Sequence, residues 1–182
     1  MFLFNNCFSR QESDEFLGRL KEDIAWTQES VYMYGKDIPL PRMTAWYGDE
    51  GMDYSYSGIK TNAKPWIPIL LAIKERIEKI SGSAFNSVLL NHYRSGKDSV
   101  SWHADDEPEL GVNPIIGSVS FGATRKFKFM SNDRTTSGSV DLAHGSFLLM
   151  GGAMQHHYKH SIPKVEKKIG ERINLTFRTI VQ

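Results

Sequence analysis

From Ser87 onward the chain is a succession of short β-type runs. They span Val88 to Tyr93, Ile115 to Phe121, Lys126 to Met130, Phe147 to Met150, Gln155 to Ile162 and Arg172 to Ile180, and Gly, Pro, Asn, Asp and Ser cut them apart. Spacings this short favour antiparallel pairing in a sandwich or jelly roll over a parallel βαβ sheet, which needs a helix between strands. Two helical segments come first. After Ser13, read as an N-cap, Phe16, Leu17, Leu20 and Ile24 recur at helical spacing, with Asp14 and Glu15 in the first turn. Over 65–80, Trp66, Ile69, Leu70, Ile73, Ile77 and Ile80 form an apolar stripe, with Pro65 and Pro68 near its start and Gly82 past its end. The pattern predicts an α+β chain that is mainly β. The stretch from Tyr32 to Tyr56, aromatic and rich in Gly and Pro, reads as an irregular functional loop or a covering hairpin.

At 182 residues, 40% hydrophobic and 12% aromatic, the chain can bury the core of one domain, and predominant disorder is excluded. Its 22 Lys+Arg balance 21 Asp+Glu, so any basic surface must be local. Cys7 stands alone, which excludes a disulfide framework or a zinc ribbon and suits a reducing compartment. Met1 to Arg10 has neither a basic leader nor a long apolar run, so no signal peptide is expected. The apolar stretch around Ile67 to Ile73 is too short to cross a bilayer. The expectation is a monomeric, intracellular protein with no membrane partner, cytoplasmic in a bacterium or nuclear in a eukaryote.

The last strand carries the first chemical signal. Period two places Arg172, Asn174, Thr176 and Arg178 on one face and Ile173, Leu175 and Phe177 on the other. Such a face is either solvated or the wall of a barrel. In a barrel wall, two guanidinium forks could grip a dicarboxylate. The same parity sets Asn91 and Tyr93 together and turns His92 away. His103-Ala104-Asp105 offers an imidazole and a carboxylate; with one distant histidine they would make the two-His-one-carboxylate triad of non-haem iron, which leaves coordination positions open. Spacing alone leaves His144, His156, His157 and His160 all eligible as the third ligand.

Several segments, in order, resemble one family. They are Pro41 to Gly48, Asn91-His92-Tyr93-Arg94, Trp102-His103-Ala104-Asp105-Asp106-Glu107-Pro108, Ser118 to Arg125, His160-Ser161-Ile162-Pro163 and Arg172 to Arg178. Together, from about Tyr34 onward, they look like the AlkB family of Fe(II)- and 2-oxoglutarate-dependent dioxygenases. The resemblance implies a double-stranded β-helix of jelly-roll type over 1–182, with a catalytic core at 87–182 and a substrate-recognition lid or hairpin at about 30–60. It implies His103, Asp105 and His160 as iron ligands. It also implies that Arg172 and Arg178 hold the ends of 2-oxoglutarate, helped by Asn91, Tyr93 and Asn174, with O2 as the other co-substrate.

The implied activity is oxidative removal of alkyl groups from bases such as 1-methyladenine and 3-methylcytosine in DNA or RNA, the methyl leaving as formaldehyde. Reaching a base in a duplex requires flipping it out. Tyr54, Tyr56 and Ser57 match the family's lesion pocket, with Asp106 and Glu107 opposite. Tyr34, eight positions before Arg42, matches the finger that fills a vacated base position. The finger position matches a duplex-repairing member but holds Tyr34 where that member has phenylalanine, whereas Thr44 to Gly48 and Asp98 to Val100 resemble a member that prefers single strands, so strand preference stays open. Lys164 and Lys167, with Lys168, follow the presumed third ligand and could meet phosphates. The competing expectations are a same-family oxygenase acting on a protein or lipid, and a non-catalytic jelly-roll binding module.

Overall fold

The computed structural model describes residues 1–33, 35–52, 54–56 and 59–181, without the side chains of 33, 54–56 and 59–61. In chain order the elements are β1 (Phe2–Phe4), α1 (Arg10–Asp23), β2 (Ser30–Met33), β3 (Lys36–Pro39), β4 (Met43–Gly48), β5 (Tyr54–Tyr56), β6 (Ile59–Thr61), β7 (Lys64–Pro65) and α2 (Pro68–Ser81). There follow β8 (Ser87–Tyr93), β9 (Val100–His103), a 3-10 turn (Pro108–Leu110), β10 (Ile116–Gly122), β11 (Arg125–Ser131) and β12 (Ser137–Leu142). The chain ends with β13 (Ser146–Met150), α3 (Met154–His157), β14 (Tyr158–Ile162) and β15 (Arg172–Arg178).

Among the described residues, one sheet of seven strands runs β1-β13-β10-β15-β8-β4-β7, and a four-stranded sheet runs β12-β11-β14-β9. All but the β4–β7 pair are antiparallel, so the structure is the expected jelly roll with supporting helices. Strand parity builds two cores. Val88, Leu90, Val119, Phe121, Ile173, Leu175 and Phe177 turn outward from the large sheet and bury against Leu20, Ile69, Leu70, Ile73 and Ile77 of the helices. The opposite parity faces the small sheet, where Trp46, Leu89, Ile116, Phe127, Leu148 and Ile162 pack.

Several boundaries differ from the sequence reading. Ser13 is not the N-cap of α1. Ser9 is, through a reciprocal box in which Ser9 Oγ accepts from Glu12 N–H at 3.2 Å and Glu12 Oε2 accepts from Ser9 N–H at 2.8 Å. Pro65 lies in β7, and α2 starts at Pro68, where a missing N–H costs nothing. Gly82, at φ 67°, closes α2 as expected. The run from Gln155 is not all strand, because α3 takes its first residues before β14 begins at Tyr158. Among the described residues of 32–56, β2 and β3 form a hairpin, one of the two expected arrangements, whereas β4 is a buried strand of the large sheet beside β8. Alternation in Met43 to Gly48 is hidden because helices cover one side and the second core the other.

Candidate metal centre and co-substrate cavity

Antiparallel pairing of β14 with β9 sets His160 directly across from His103, with ring centroids 4.3 Å apart. Asp105, two residues past β9, turns in beneath them. Ligand atoms of His103, Asp105 and His160 all lie within 4.8 Å of one another, the one such cluster among the described residues. Two imidazoles and one carboxylate form a donor set that suits Fe(II) and leaves a face open. Supporting contacts fix each group. His103 Nδ1 lies 2.8 Å from the Ser101 carbonyl, so this nitrogen carries the proton and Nε2 is left as the lone-pair donor. Phe127 stacks on His160, with centroids 5.0 Å apart. Gln155 Oε1 accepts the Asp105 backbone N–H at 3.0 Å.

Asp105 is almost fully buried, which disfavours its charge, yet the Arg178 guanidinium and then the two imidazoles outweigh burial and hold the carboxyl below its usual range. Arg178 Nη2 donates to Asp105 Oδ1, while Oδ2 lies 3.7 Å from His160 Nε2 and is left as the ligand oxygen. Burial pushes His160 down to about 4 against the pull of Asp105, so it is the neutral imidazole a metal requires.

The triad opens into a cavity of about 550 Å³ whose wall includes Asn91, Tyr93, Arg172, Asn174, Thr176 and Arg178. The polar face of β15 is therefore buried inside the roll and not solvated. Arg172 is 1% exposed and has its Cζ 5.1 Å from the Tyr93 ring centroid. Its Nη2 donates to Ser120 Oγ at 2.9 Å, but Nε and Nη1 are buried with no hydrogen-bond partner among the described residues. Burial pushes its guanidinium down to about 10. A desolvated cation with unfilled donors fits a carboxylate of 2-oxoglutarate, as the triad fits the metal.

Asn174 differs from the others. Its Nδ2 donates to Ser118 Oγ at 2.9 Å and to the Val119 carbonyl at 3.0 Å, and its Oδ1 accepts from Thr176 at 3.1 Å. This amide is already committed to the wall. Asn91 Oδ1 accepts from Arg42 Nε at 2.7 Å, and Asn91 lines the cavity.

Other expected residues lie at varied distances. Arg42 and Glu107 line the same cavity, and Asp106 is exposed beside it. Lys164 and Lys167 are exposed in the loop that leaves β14. Tyr34 and Ser57 lie outside the described residues, as do the side chains of Tyr54 and Tyr56. The unused histidines have other tasks: His144 Nδ1 accepts from Gly122 N–H at 2.8 Å, and His92 meets Glu171 at 2.9 Å. Sequence reasoning missed Ser118, Ser120 and Gln155. The serines were legible, since parity in Ser118-Val119-Ser120-Phe121 puts two small polar groups on the inner face. Gln155 was not, because a helical turn hid in an apparent strand.

The chain is similar to known proteins over nearly its whole length. The model of the 2OG-Fe(II) oxygenase superfamily matches residues 1–178. The "Alpha-ketoglutarate-dependent dioxygenase alkB homolog 3" of Rattus norvegicus is 42% identical over 93% of this chain and 60% of its own length. The "DNA oxidative demethylase ALKBH2" of Homo sapiens is 38% identical over 96% of this chain and 71% of its own. The chain thus spans under two thirds of the rat relative. The solved structure of OsALKBH1 superposes with a TM-score of 0.69 at 18% identity, covering 98% of this chain and 97% of that one, a likeness in fold.

Proposed function

The chain belongs to the 2OG-Fe(II) oxygenase superfamily, and within it to the AlkB group, and from that premise we propose that it removes alkyl groups oxidatively from nucleic acid bases. The observation that carries the reading is one cavity walled by both the His103, Asp105, His160 cluster and the buried guanidiniums of β15. Bound Fe(II), with 2-oxoglutarate and O2, would supply the oxidising chemistry. His103, Asp105 and His160 would hold the metal. Arg178 orients the Asp105 carboxylate, and Arg178 and Arg172, the latter beside Tyr93, would hold the two ends of the co-substrate. Asn91 would offer its amide N–H to the co-substrate, and Asn174 positions the wall through Ser118.

The substrate side rests on Arg42 and Glu107 in the cavity and Asp106 at its margin, with Tyr34, Tyr54, Tyr56 and Ser57 supplied by the segment about 30–60. Glu107 Oε2 is buried without a hydrogen-bond partner among the described residues, an acceptor suited to the exocyclic amino group of adenine or cytosine. Within 30–60 the lid role falls to the β2–β3 hairpin, since β4 belongs to the large sheet. Lys164 and Lys167 would meet phosphates. The reading takes 1–182 as one catalytic domain that acts as a monomer on DNA or RNA. No helix among the described residues is long and apolar enough to cross a membrane.

The test is a panel of oligonucleotides carrying 1-methyladenine or 3-methylcytosine, with both sugars and both strand states. Formaldehyde release that requires Fe(II) and 2-oxoglutarate is expected. Consumption of 2-oxoglutarate with every methylated base left intact would overturn the substrate and keep the oxygenase.

A further inference from the structure

Arg125 opens β11 and is 1% exposed, as deeply buried as Arg172. It makes no ion pair among the described residues, and its partners are carbonyls. Nη2 donates to Asp98 O at 2.8 Å and to Pro163 O at 2.6 Å, Nη1 donates to Ser95 O at 3.3 Å, and Nε is buried with no partner. The Asp98 carboxylate, a source of favourable field, is itself taken by three hydrogen bonds from Arg94. Arg125 Cζ lies 5.4 Å from the Tyr93 ring centroid, and the Arg172 Cζ lies 5.1 Å from the same centroid.

Two features need a reason. Carbonyls can be satisfied by a neutral donor, yet the chain buries a full charge here and bears its desolvation. It also buries that charge beside a second cation sharing the same ring, and the two repel. An anion lodged against Tyr93 would offset both costs. The loops Arg125 ties are also the ones that flank the metal ligands: 94–99 runs into β9 and His103, and 163–170 leaves β14 and His160. They are sewn together where Val165 N–H donates to Gly96 O at 2.8 Å.

We infer that Arg125 is a positioning residue for the co-substrate: it holds Tyr93 against the cavity and adds a second positive charge that selects a 2-oxo diacid over a 2-oxo monoacid. The inference rests on the 2-oxoglutarate reading above. A purely structural clamp would affect all 2-oxo acids alike. The charge acts most strongly on a ligand whose far end is anionic, because Coulomb attraction falls with distance.

The test is calorimetric titration of the Mn(II)-loaded chain with 2-oxoglutarate and with 2-oxobutanoate, which keeps the 2-oxo acid head and lacks the distal carboxylate. Arg125→Met should lower the preference for the diacid about tenfold, with 2-oxobutanoate affinity changed less than about threefold. Arg125→Lys, which keeps the charge, should retain the preference even if its melting temperature drops. Arg125→Gln, which keeps a donor for the carbonyls and loses the charge, replaces the methionine variant if that one does not fold. Equal weakening of both acids, or an unchanged preference in the neutral variants, overturns the inference. Wild-type protein that binds neither acid overturns the co-substrate reading, and the inference with it.

Discussion

Arg178, the last residue of β15, donates through Nη2 to Oδ1 of Asp105, 73 positions earlier in the chain. One carboxylate oxygen is thereby occupied and the other is left for a metal, and a buried charge on each side is compensated. Asp105→Asn keeps an acceptor for Arg178 and removes the anion. It should weaken Mn(II) binding at least about a hundredfold, and loss of the buried Arg178–Asp105 ion pair should destabilise the fold by about 3–5 kcal/mol. Calorimetry and denaturant melts measure the two effects separately. Unchanged Mn(II) affinity would remove Asp105 from the ligand set.

His160 makes the metal-free protein sensitive to acid. Burial lowers its imidazole from 6.5 to about 4, so between these values the unfolded chain binds a proton that the folded chain refuses. Its contribution to stability is complete above pH about 6.5 and is lost as the pH falls toward 4, by up to about 1.4 kcal/mol per pH unit. Urea melts of chelated protein across that range should show the slope, and His160→Gln should flatten it. Identical slopes in the two proteins would assign the acid sensitivity elsewhere.

Gly96 is a point of close approach. A Cβ there would lie 2.5 Å from the Val165 carbonyl oxygen, so Gly96→Ala must push apart the loops flanking His103 and His160. The expected cost is about 1–3 kcal/mol, with weaker metal binding as a secondary effect. Gly152→Ala serves as the comparison: its added Cβ meets nothing within 4 Å, so only the backbone strain of its φ of 61° applies. A thermal melt of Gly96→Ala that matches wild type would show that these loops are not in register contact in solution.

Lys164 and Lys167 predict a salt signature. If both meet phosphates, replacing them with Ala should weaken oligonucleotide binding evenly across sequences. It should also reduce the slope of log K against log salt by about 1.4 for single strands. Fluorescence-anisotropy titrations at several salt concentrations report this. A slope that does not move would leave these lysines as solvated surface.

Much of the fold was legible because its elements obey local rules. The stripe Ile69, Leu70, Ile73, Ile77 repeats at helical spacing, and Gly82 stops the helix because an αL residue without a Cβ costs little there. What stayed illegible was set by neighbours distant in the chain. Met43 to Gly48 read as irregular because a strand buried on both sides shows no alternation. Ser13 read as a cap because it precedes acidic residues, but the helix had already begun under the Ser9–Glu12 box.

The sequence by itself determined which groups could do chemistry here: the His-x-Asp pair, the alternating Arg172, Asn174, Arg178 face and the companions Asn91 and Tyr93. Residue type and strand parity are local properties, so they can be read from a linear chain. Only the tertiary structure decided that β14 places His160 opposite His103, and that Arg178 reaches Asp105 instead of solvent. Only it showed that Asn174 spends its amide on Ser118 while Arg172 keeps donors in reserve. Those facts depend on antiparallel register and on burial, which residues far apart in sequence fix together.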